Sequence, residues 1–223
     1  SLHDALPILR LLEKAQMGLS AASAIQRPQS AELPHHDFLQ EPHTIIIPKH
    51  THQAHVMTGT QACNVHDARR MPLYLLNNIL GGPGMNAKLN LALREHHGLV
   101  YTVESNLTTY SDLGYWSIYY GCDVHDIERC RRLVHRELQH FIDRPLSPSQ
   151  LRAAKKQIKG QIGVACDNRE NFALDFGKSY LHYGWLKNIQ HLYEQIDEIT
   201  SQQIQEVAQE YFAAERLFTL IYQ

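Results

Sequence analysis

Residues 76–103, LNNILGGPGMNAKLNLALREHHGLVYTV, contain the transitions that decide the fold. Apolar residues recur at helical spacing as far as Leu80, and the glycine-rich run 81–84 then interrupts the helix. A second helix is predicted from about Met85 to His97, and Gly98 is the residue type that commonly ends a helix. A β-branched and aromatic strand follows the glycine. The stretch therefore predicts helix, loop, helix, tight turn and strand in that order.

The flanking sequence extends this pattern in both directions. The predicted elements are strands at 44–48 and 52–63, helices at 66–80 and 85–97, strands at 99–107 and 115–122, helices at 126–141, from 147, at 172–183 and at 197–212, and a strand at 217–222. Helices and strands fall in separate blocks and do not alternate strictly. This order predicts an α+β fold, a two-layer α/β sandwich with a mainly antiparallel sheet covered by helices.

The helix predicted from Asp126 to Phe141 has the clearest pattern. Its apolar residues are spaced three, four, four and three apart, which aligns them on one buried stripe: Ile127, Cys130, Val134, Leu138 and Phe141. Ser147 before Pro148 is typical of a helix start, and Thr200 is the predicted N-cap of the last helix. In the strand 115–122, the residues Trp116, Ile118 and Tyr120 share one face.

The composition excludes several classes of protein. The chain has 223 residues, 43% hydrophobic and 20% charged, with a formal net charge of −2. Without long basic runs, a general attraction to nucleic acid or to an anionic membrane has little support. No apolar run approaches the roughly 18 residues of a membrane span. The four cysteines form no C-x-x-C pair, which argues against zinc-ribbon and thioredoxin-like proteins.

The domain layout is indicated by a polar stretch that contains three prolines. We expect residues 27–42 to be a linker and residues 43–223 to form the main domain. Residues 1–26 are expected to be the tail of a preceding domain, because Leu9 to Ala24 has helical spacing. The first residues, Ser1 to Ile8, resemble foreign sequence joined to a natural chain.

The zinc motifs of helical metallopeptidases are absent from the sequence. Neither H-E-x-x-H nor H-x-x-E-H occurs; the nearest miss is Glu95-His96, with Ala92 where the first histidine of the inverted motif would stand. Two helical histidines are needed to converge on the ion, so losing one removes the site. We therefore predict no catalytic zinc, and no other metal site, in this chain. Glycines 81, 82 and 84 also lack the spacing of a phosphate-binding loop.

The quoted stretch resembles the second domain of the insulinase/pitrilysin-type zinc peptidases, which include the mitochondrial processing peptidases and their bacterial relatives. In that family a helix ends in a glycine-rich loop, a second helix delivers an arginine, and a tyrosine follows seven residues later at a strand start. The upstream Gln53-Ala54-His55 is also similar to the family. The sequence departs from the family loop Gly-Gly-Gly-x-Ser-Ser-Arg-Leu, because Asn86 and Ala87 replace the two serines.

The resemblance implies a division of labour between two domains. The first domain of such peptidases carries H-x-x-E-H and the zinc, and the second has no metal and closes over the first. Carried over, Arg94 is a substrate clamp and Tyr101 an oxyanion donor, acting in trans on a site in the other domain. The implied substrate loop consists of Gly81, Gly82, Gly84 and Asn86.

The implied partners are a peptide substrate and a zinc-bearing peptidase domain or subunit, so the zinc is expected outside this chain. The chain would then be the C-terminal substrate-binding half of a zinc metalloendopeptidase, inactive alone. The alternative is a non-catalytic scaffold or binding subunit of a processing-peptidase-like assembly. Without the resemblance, Arg94 is interpreted as an exposed helix cation and Tyr101 as a half-buried strand aromatic.

Overall fold

The computed structural model describes residues 43–49, 51–184 and 188–223. The predictions for residues 1–42, the preceding-domain tail and the linker, lie outside the described residues. The described strands form one five-stranded sheet in the order β1-β5-β2-β4-β3, from Thr44–Ile47 (β1), Ala54–Ala62 (β2), Val100–Thr109 (β3), Gly114–Cys122 (β4) and Phe218–Tyr222 (β5). Only β1 and β5 pair in parallel among these strands. The predicted α+β class with a mainly antiparallel sheet is confirmed.

The described α-helices are Arg70–Gly81 (α1), Ile127–Asp143 (α2), Pro148–Asp167 (α3), Arg169–Tyr183 (α4), Ile189–Glu198 (α5) and Ser201–Tyr211 (α6). A π-helical segment, Asn90–Glu95, lies between α1 and β3. Short 3-10 helices occur at Val124–Asp126 and Ala214–Arg216. Helix α6 contacts both α1 and α2, and α1 contacts β3.

The helices cover one face of the sheet, and the core lies between the two layers. Strand β4 shows the alternation directly: Trp116, Ile118 and Tyr120 are buried, as predicted, whereas Tyr115 on the opposite face is exposed. The indole of Trp116 packs on the ring of Phe212, with centroids 4.3 Å apart. Burying one sheet face and one stripe of each helix is what an amphipathic α+β sequence requires.

Helix α2 confirms the apolar stripe, since all five predicted residues are buried. Its neighbours start as predicted: the Ser147 hydroxyl accepts the N–H of Gln150, whose side chain in turn accepts the N–H of Ser147. The same capping box joins Thr200 to Gln203 at the start of α6. These reciprocal bonds satisfy N–H groups that the first helical turn leaves without partners.

Two predicted helices have the wrong boundaries. The last helix does not begin at Asp197, because Ile199 is extended and separates α5, which the sequence reading missed, from α6. The helix predicted from Met85 to His97 is shorter: it begins near Lys88 and is π-helical over Asn90–Glu95. The other elements differ from prediction by a few residues at their ends, the usual uncertainty of helix and strand limits.

Candidate functional site

The glycine-rich loop follows α1 directly and passes close to three other parts of the chain. A Cβ atom on Gly81 would lie 2.5 Å from the backbone nitrogen of Ser105 in β3. On Gly82 it would lie 2.6 Å from the carbonyl oxygen of Asn78. On Gly84 it would lie 2.5 Å from Oδ1 of Asn86. Since real Cβ atoms do not approach backbone so closely, these contacts require glycine at Gly81 and Gly82, whereas the side-chain amide near Gly84 can move aside.

A buried polar cluster fixes α1 to the sheet just before this loop. Oδ1 of Asn77 accepts from the hydroxyl of Ser105 at 2.6 Å and from Nε1 of Trp116 at 3.1 Å. The indole N–H also lies 3.0 Å from the Ser105 hydroxyl oxygen. Since unpaired polar groups in a core are costly, the three side chains hold one another in place and set the height of α1 above β3 and β4.

Helix α3 supports the loop from the other side through two amide pairs. Nδ2 of Asn78 donates to Oε1 of Gln161 at 2.7 Å, and Nδ2 of Asn86 donates to Oε1 of Gln157 at 2.7 Å. Through the second pair, the amide of Asn86 in the loop reaches α3. The loop is therefore held by both α1 and α3.

The π-helical segment carries Arg94 and ends at a glycine turn. The N–H of His96 donates to the carbonyl of Leu91 at 2.9 Å, one residue further back than in an α-helix. The carbonyl of Ala92, which an α-helix would pair with His96, instead accepts from Nδ1 of His97 at 2.7 Å. Gly98 follows with a φ of 62°, as predicted for a residue that ends a helix. π-Helical turns of this kind are frequent at functional sites.

Tyr101 lies at a β-bulge in the edge strand β3. Val100 pairs with Cys122 and Val103 with Tyr120, which leaves Tyr101 and Thr102 opposite Gly121 alone. A bulge bends the strand and redirects side chains. Tyr101 is 80% exposed, so the interpretation as a half-buried strand aromatic does not describe it. Arg94 is half exposed, and its nearest ion-pair partner is the adjacent Glu95, with 3.7 Å between nitrogen and oxygen.

Arg94 and Tyr101 line one cavity of about 500 Å³. Gly81, Gly82 and Gly84 line the same cavity, whereas Asn86 is not among its lining residues and acts on the loop through Gln157. The structure thus brings five of the six predicted site residues to one surface depression. Its wall on the sheet side is the first half of β3, which includes the carboxylate of Glu104.

Sequence reasoning missed Tyr74, which contributes to this cavity from α1. Asn77, Asn78 and Gly81 follow Tyr74 by three, four and seven residues, so a helical projection of the sequence would have placed all four on the face that leads to the loop. Burial raises the pKa of the Tyr74 hydroxyl, which keeps it protonated at neutral pH. It is therefore a further hydrogen-bond donor beside the cavity.

Among the described residues, one group of three side chains has the arrangement of a metal site: Asp123, His125 and Asp126, whose ligand atoms lie within 4.8 Å of one another. This group sits at the turn between β4 and α2 and does not line the cavity of Arg94 and Tyr101. Exposed carboxylates often cluster without an ion, so the arrangement alone does not indicate a metal site. In the described part of the chain, no helix is long and apolar enough to cross a membrane.

Several solved structures share the fold of this chain. A "peptidase M16 inactive domain" from Pseudomonas fluorescens superposes with a TM-score of 0.71 at 20% identity, covering 82% of this chain and 44% of that one. A protease from Helicobacter pylori gives a TM-score of 0.75 at 18% identity, covering 83% and 44%. At these identities the likeness shows the fold alone, and it agrees with the α+β class observed here.

The sequence comparison identifies the family. The profile described as "Peptidase M16 inactive domain" matches residues 7–158, more than half of the chain. The chain therefore belongs to the peptidase M16 family of zinc proteases, as its inactive C-terminal domain, which confirms the resemblance to insulinase-type peptidases.

Curated relatives agree with this assignment. An "uncharacterized zinc protease" of Streptomyces coelicolor is 28% identical over 165 residues, covering 74% of this chain and 36% of the relative. The zinc protease YmxG of Bacillus subtilis is 26% identical over 173 residues, covering 78% and 42%. The β subunit of the bovine mitochondrial-processing peptidase is 26% identical over 165 residues, covering 71% and 34%. The match thus spans between a third and a half of these relatives.

Proposed function

We propose that this chain is the substrate-binding half of a zinc-dependent metalloendopeptidase and acts with a zinc-bearing H-x-x-E-H domain or subunit. The observation that carries the proposal is the joint exposure of Arg94 and Tyr101 in one cavity beside the edge strand β3. A large aromatic residue that is 80% exposed adds little to the stability of its own domain. A partner or a substrate gives such a residue a role.

The two side chains suit the two demands of peptide hydrolysis. Peptide hydrolysis develops negative charge on the carbonyl oxygen, which needs a donor positioned in advance, and a zinc ion held by the partner domain would supply the activated water. The Tyr101 hydroxyl is a neutral donor of this kind. The Arg94 guanidinium can hold a substrate carbonyl or carboxylate through two parallel hydrogen bonds. The loop of Gly81, Gly82 and Gly84 presents backbone close to where such a peptide would lie.

In this proposal the zinc and the attacking water belong to the partner, and the chain supplies only substrate contacts. Residues 27–42 act as the linker and residues 1–26 as the end of the preceding domain, with residues 43–223 as the substrate-binding domain. An H-x-x-E-H motif upstream in the same polypeptide would support this arrangement. A motif on a separate subunit would require association in trans.

The test is peptide cleavage by the assembly that contains both halves. Tyr101→Phe removes the hydroxyl and leaves an exposed ring, so kcat should fall about 10²- to 10³-fold while the domain stays folded. Arg94→Ala should raise KM as well, since a clamp acts on the ground state too. Tyr115→Phe is the matched control, an exposed tyrosine on β4 that does not line the cavity.

Each outcome of this test is informative. Full activity of Tyr101→Phe in an active assembly would remove the catalytic role. An intact wild-type assembly that binds peptide but never cleaves it would favour the scaffold function instead. Loss of folding in Tyr101→Phe, with Tyr115→Phe stable, would make the tyrosine a structural residue.

A further inference from the structure

A second and larger cavity, of about 940 Å³, lies between helix α2 and the core-facing side of β1, β5 and β2. It shares no lining residue with the cavity of Arg94 and Tyr101. The residues that line it come from α2 and Arg144 directly after it, from the three strands named and His43 directly before β1, from Tyr120 of β4, and from the segment that leads into β5. Its volume falls within the range typical of small-molecule sites, about 300–1,000 Å³.

The floor of this cavity is a row of three threonines, an unusual composition for the covered face of a sheet. Thr44 of β1 is in register with Thr219 of β5, which is in register with Thr58 of β2. Thr58 and Thr219 are buried, and their hydroxyl oxygens lie 3.1 Å apart. The next row of the same face is apolar, with Val56 beside Ile221. Threonine favours strands, but strand propensity does not explain why three hydroxyls stand in register beneath a helix.

Tyr120 adds a polar group to the same cavity. Its side chain is 1% exposed, and its hydroxyl has no hydrogen-bond partner among the described residues. Burial raises the pKa of this hydroxyl far above its usual value, so it remains protonated and can donate. Buried hydroxyls are seldom left without a partner, because their desolvation is then uncompensated. An acceptor oxygen in the cavity would provide that partner.

The walls of the cavity are positively charged. They include Arg131, Arg132, Arg136 and Arg144, against only two carboxylates, Glu128 and Asp143. Arg131 connects the helix to the floor: its Nη2 donates to the Thr44 hydroxyl at 3.1 Å, while Nη1 pairs with Glu128 at 2.7 Å. Guanidinium groups favour carboxylate and phosphate oxygens, which they can bind in pairs.

We propose that this cavity binds an organic anion, a carboxylate or a phosphate monoester carried on a small apolar body. The oxyanion would accept from the Tyr120 hydroxyl and from the arginines of α2. The apolar body would lie against Val134, Leu138 and Leu217, which also line the cavity. An inorganic ion alone would leave most of the volume unfilled, which is why an organic ligand is expected.

The test uses three probes of matched shape with the whole chain: phenyl phosphate, benzoate and the neutral benzyl alcohol. We expect one or both anions to bind, with shifts in the backbone amide NMR signals of α2 and β5, and benzyl alcohol to bind much more weakly. The tighter of the two anions identifies the natural group as phosphate or carboxylate. Tyr120→Phe should weaken anion binding about 10- to 100-fold, the range for one hydrogen bond to a charged group.

The charge contribution has a matched control on the same helix. Arg132→Gln removes a guanidinium that lines the cavity, and Arg129→Gln removes an exposed one that does not. Only Arg132→Gln should weaken anion binding. The proposal is overturned if neither anion binds, if benzyl alcohol binds as tightly as the anions, or if Arg129→Gln and Arg132→Gln weaken binding equally. Thr58→Val provides a second variant that removes a floor hydroxyl at nearly constant volume, and it should also lower anion affinity.

Discussion

Helix α2 and the segment from Gly81 to Thr102 are both anchored on the same sheet, but different forces hold them. Helix α2 is regular and relies on an apolar stripe. The segment from Gly81 to Thr102 contains a glycine loop, a π-helical turn and a β-bulge, and relies on close backbone contacts and side-chain amides. The first arrangement stabilises the domain through buried apolar side chains. The second places Arg94 and Tyr101, both exposed, beside the cavity of about 500 Å³.

The contrast predicts that mutations should separate the two regions by their effects. Changes in the α2 stripe should lower the free energy of unfolding. They should leave the cavity of Arg94 and Tyr101 unchanged in the protein that remains folded, because no stripe residue lines that cavity. Changes in the glycine loop should lower the free energy of unfolding by a smaller amount. They should alter the cavity of Arg94 and Tyr101 directly, because the loop lines it. Changes in polar contacts at the exposed surface should lower the free energy of unfolding least of all.

The largest effect is expected for Phe141→Ala in the α2 stripe. Phe141 is 2% exposed, and truncating a buried phenylalanine costs about 3–5 kcal/mol through lost burial and the cavity left behind. Urea unfolding followed by circular dichroism measures the change. Phe141→Leu keeps most of the apolar volume and should cost clearly less. Equal losses for the two variants would mean that volume at this position is not what stabilises α2.

A smaller effect is expected for Gly81→Ala at the entrance to the loop. The new methyl group would meet the Ser105 backbone at 2.5 Å, so β3 must shift, at a cost of about 1–3 kcal/mol, the range for overpacking. The shift would also disturb the bonds from Ser105 to Asn77 and Trp116. Unfolding measurements, together with amide NMR shifts of β3, would detect both consequences.

Gly160→Ala is the matched control for this change. Gly160 lies within α3, and a Cβ there would have no atom within 4 Å. Alanine in the interior of a helix is favoured over glycine by about 0.5–1 kcal/mol, so this variant should be more stable than the wild type. If Gly81→Ala were also stabilising, the close contact with Ser105 would not constrain the loop.

The sequence predicted α2 because a helix with one apolar face leaves a local periodic pattern. It did not predict the π-helical turn, since that turn depends on whether the Ala92 carbonyl pairs with a backbone N–H or with the His97 ring. The β-bulge depends on the register between β3 and β4, which lie in different segments. Helix α5 was missed although Ile189, Leu192 and Ile196 are spaced three and four apart, and the extended Ile199 separates this helix from α6.

The candidate site was less predictable from local sequence patterns than the helices and strands were. Arg94 and Tyr101 came from the family resemblance, because an arginine in a helix and a tyrosine in a strand carry no local signal of function. The exposure of these two side chains and the cavity that they share became visible only in the structure. The same holds for the support of the loop by α3, since Asn86 and Gln157 are 71 residues apart. No local pattern records a hydrogen bond over that separation.

The smallest expected effect concerns the end of α1 opposite to the glycine loop, where Asp67, Arg69 and Glu210 form an exposed charge cluster. Hydrogen bonds from the Arg69 side chain lower the pKa of the Asp67 carboxyl below its ordinary value. Arg69 joins this carboxylate to Glu210 of α6, with 2.6 Å between Nη1 and Oε1. Since the Arg69 side chain is 49% exposed, solvent screens these pairs and limits their contribution to about 1 kcal/mol or less.

The pH dependence of that contribution follows from the direction of the shift. A carboxyl whose pKa is lower in the folded state stabilises the fold above its unfolded pKa, near 3.9, and this contribution is lost as the pH falls through the folded value. Wild type should therefore exceed Asp67→Asn in stability by up to about 1 kcal/mol at pH 7, and the difference should shrink towards zero as the pH falls through the lowered folded-state pKa of Asp67. Urea unfolding of both proteins between pH 7 and pH 2.5 measures it, and the other carboxyls cancel because both proteins share them. A difference that stays constant over this range would show that the charge of Asp67 contributes nothing, and that its hydrogen-bond geometry, which asparagine only partly reproduces, accounts for the whole effect.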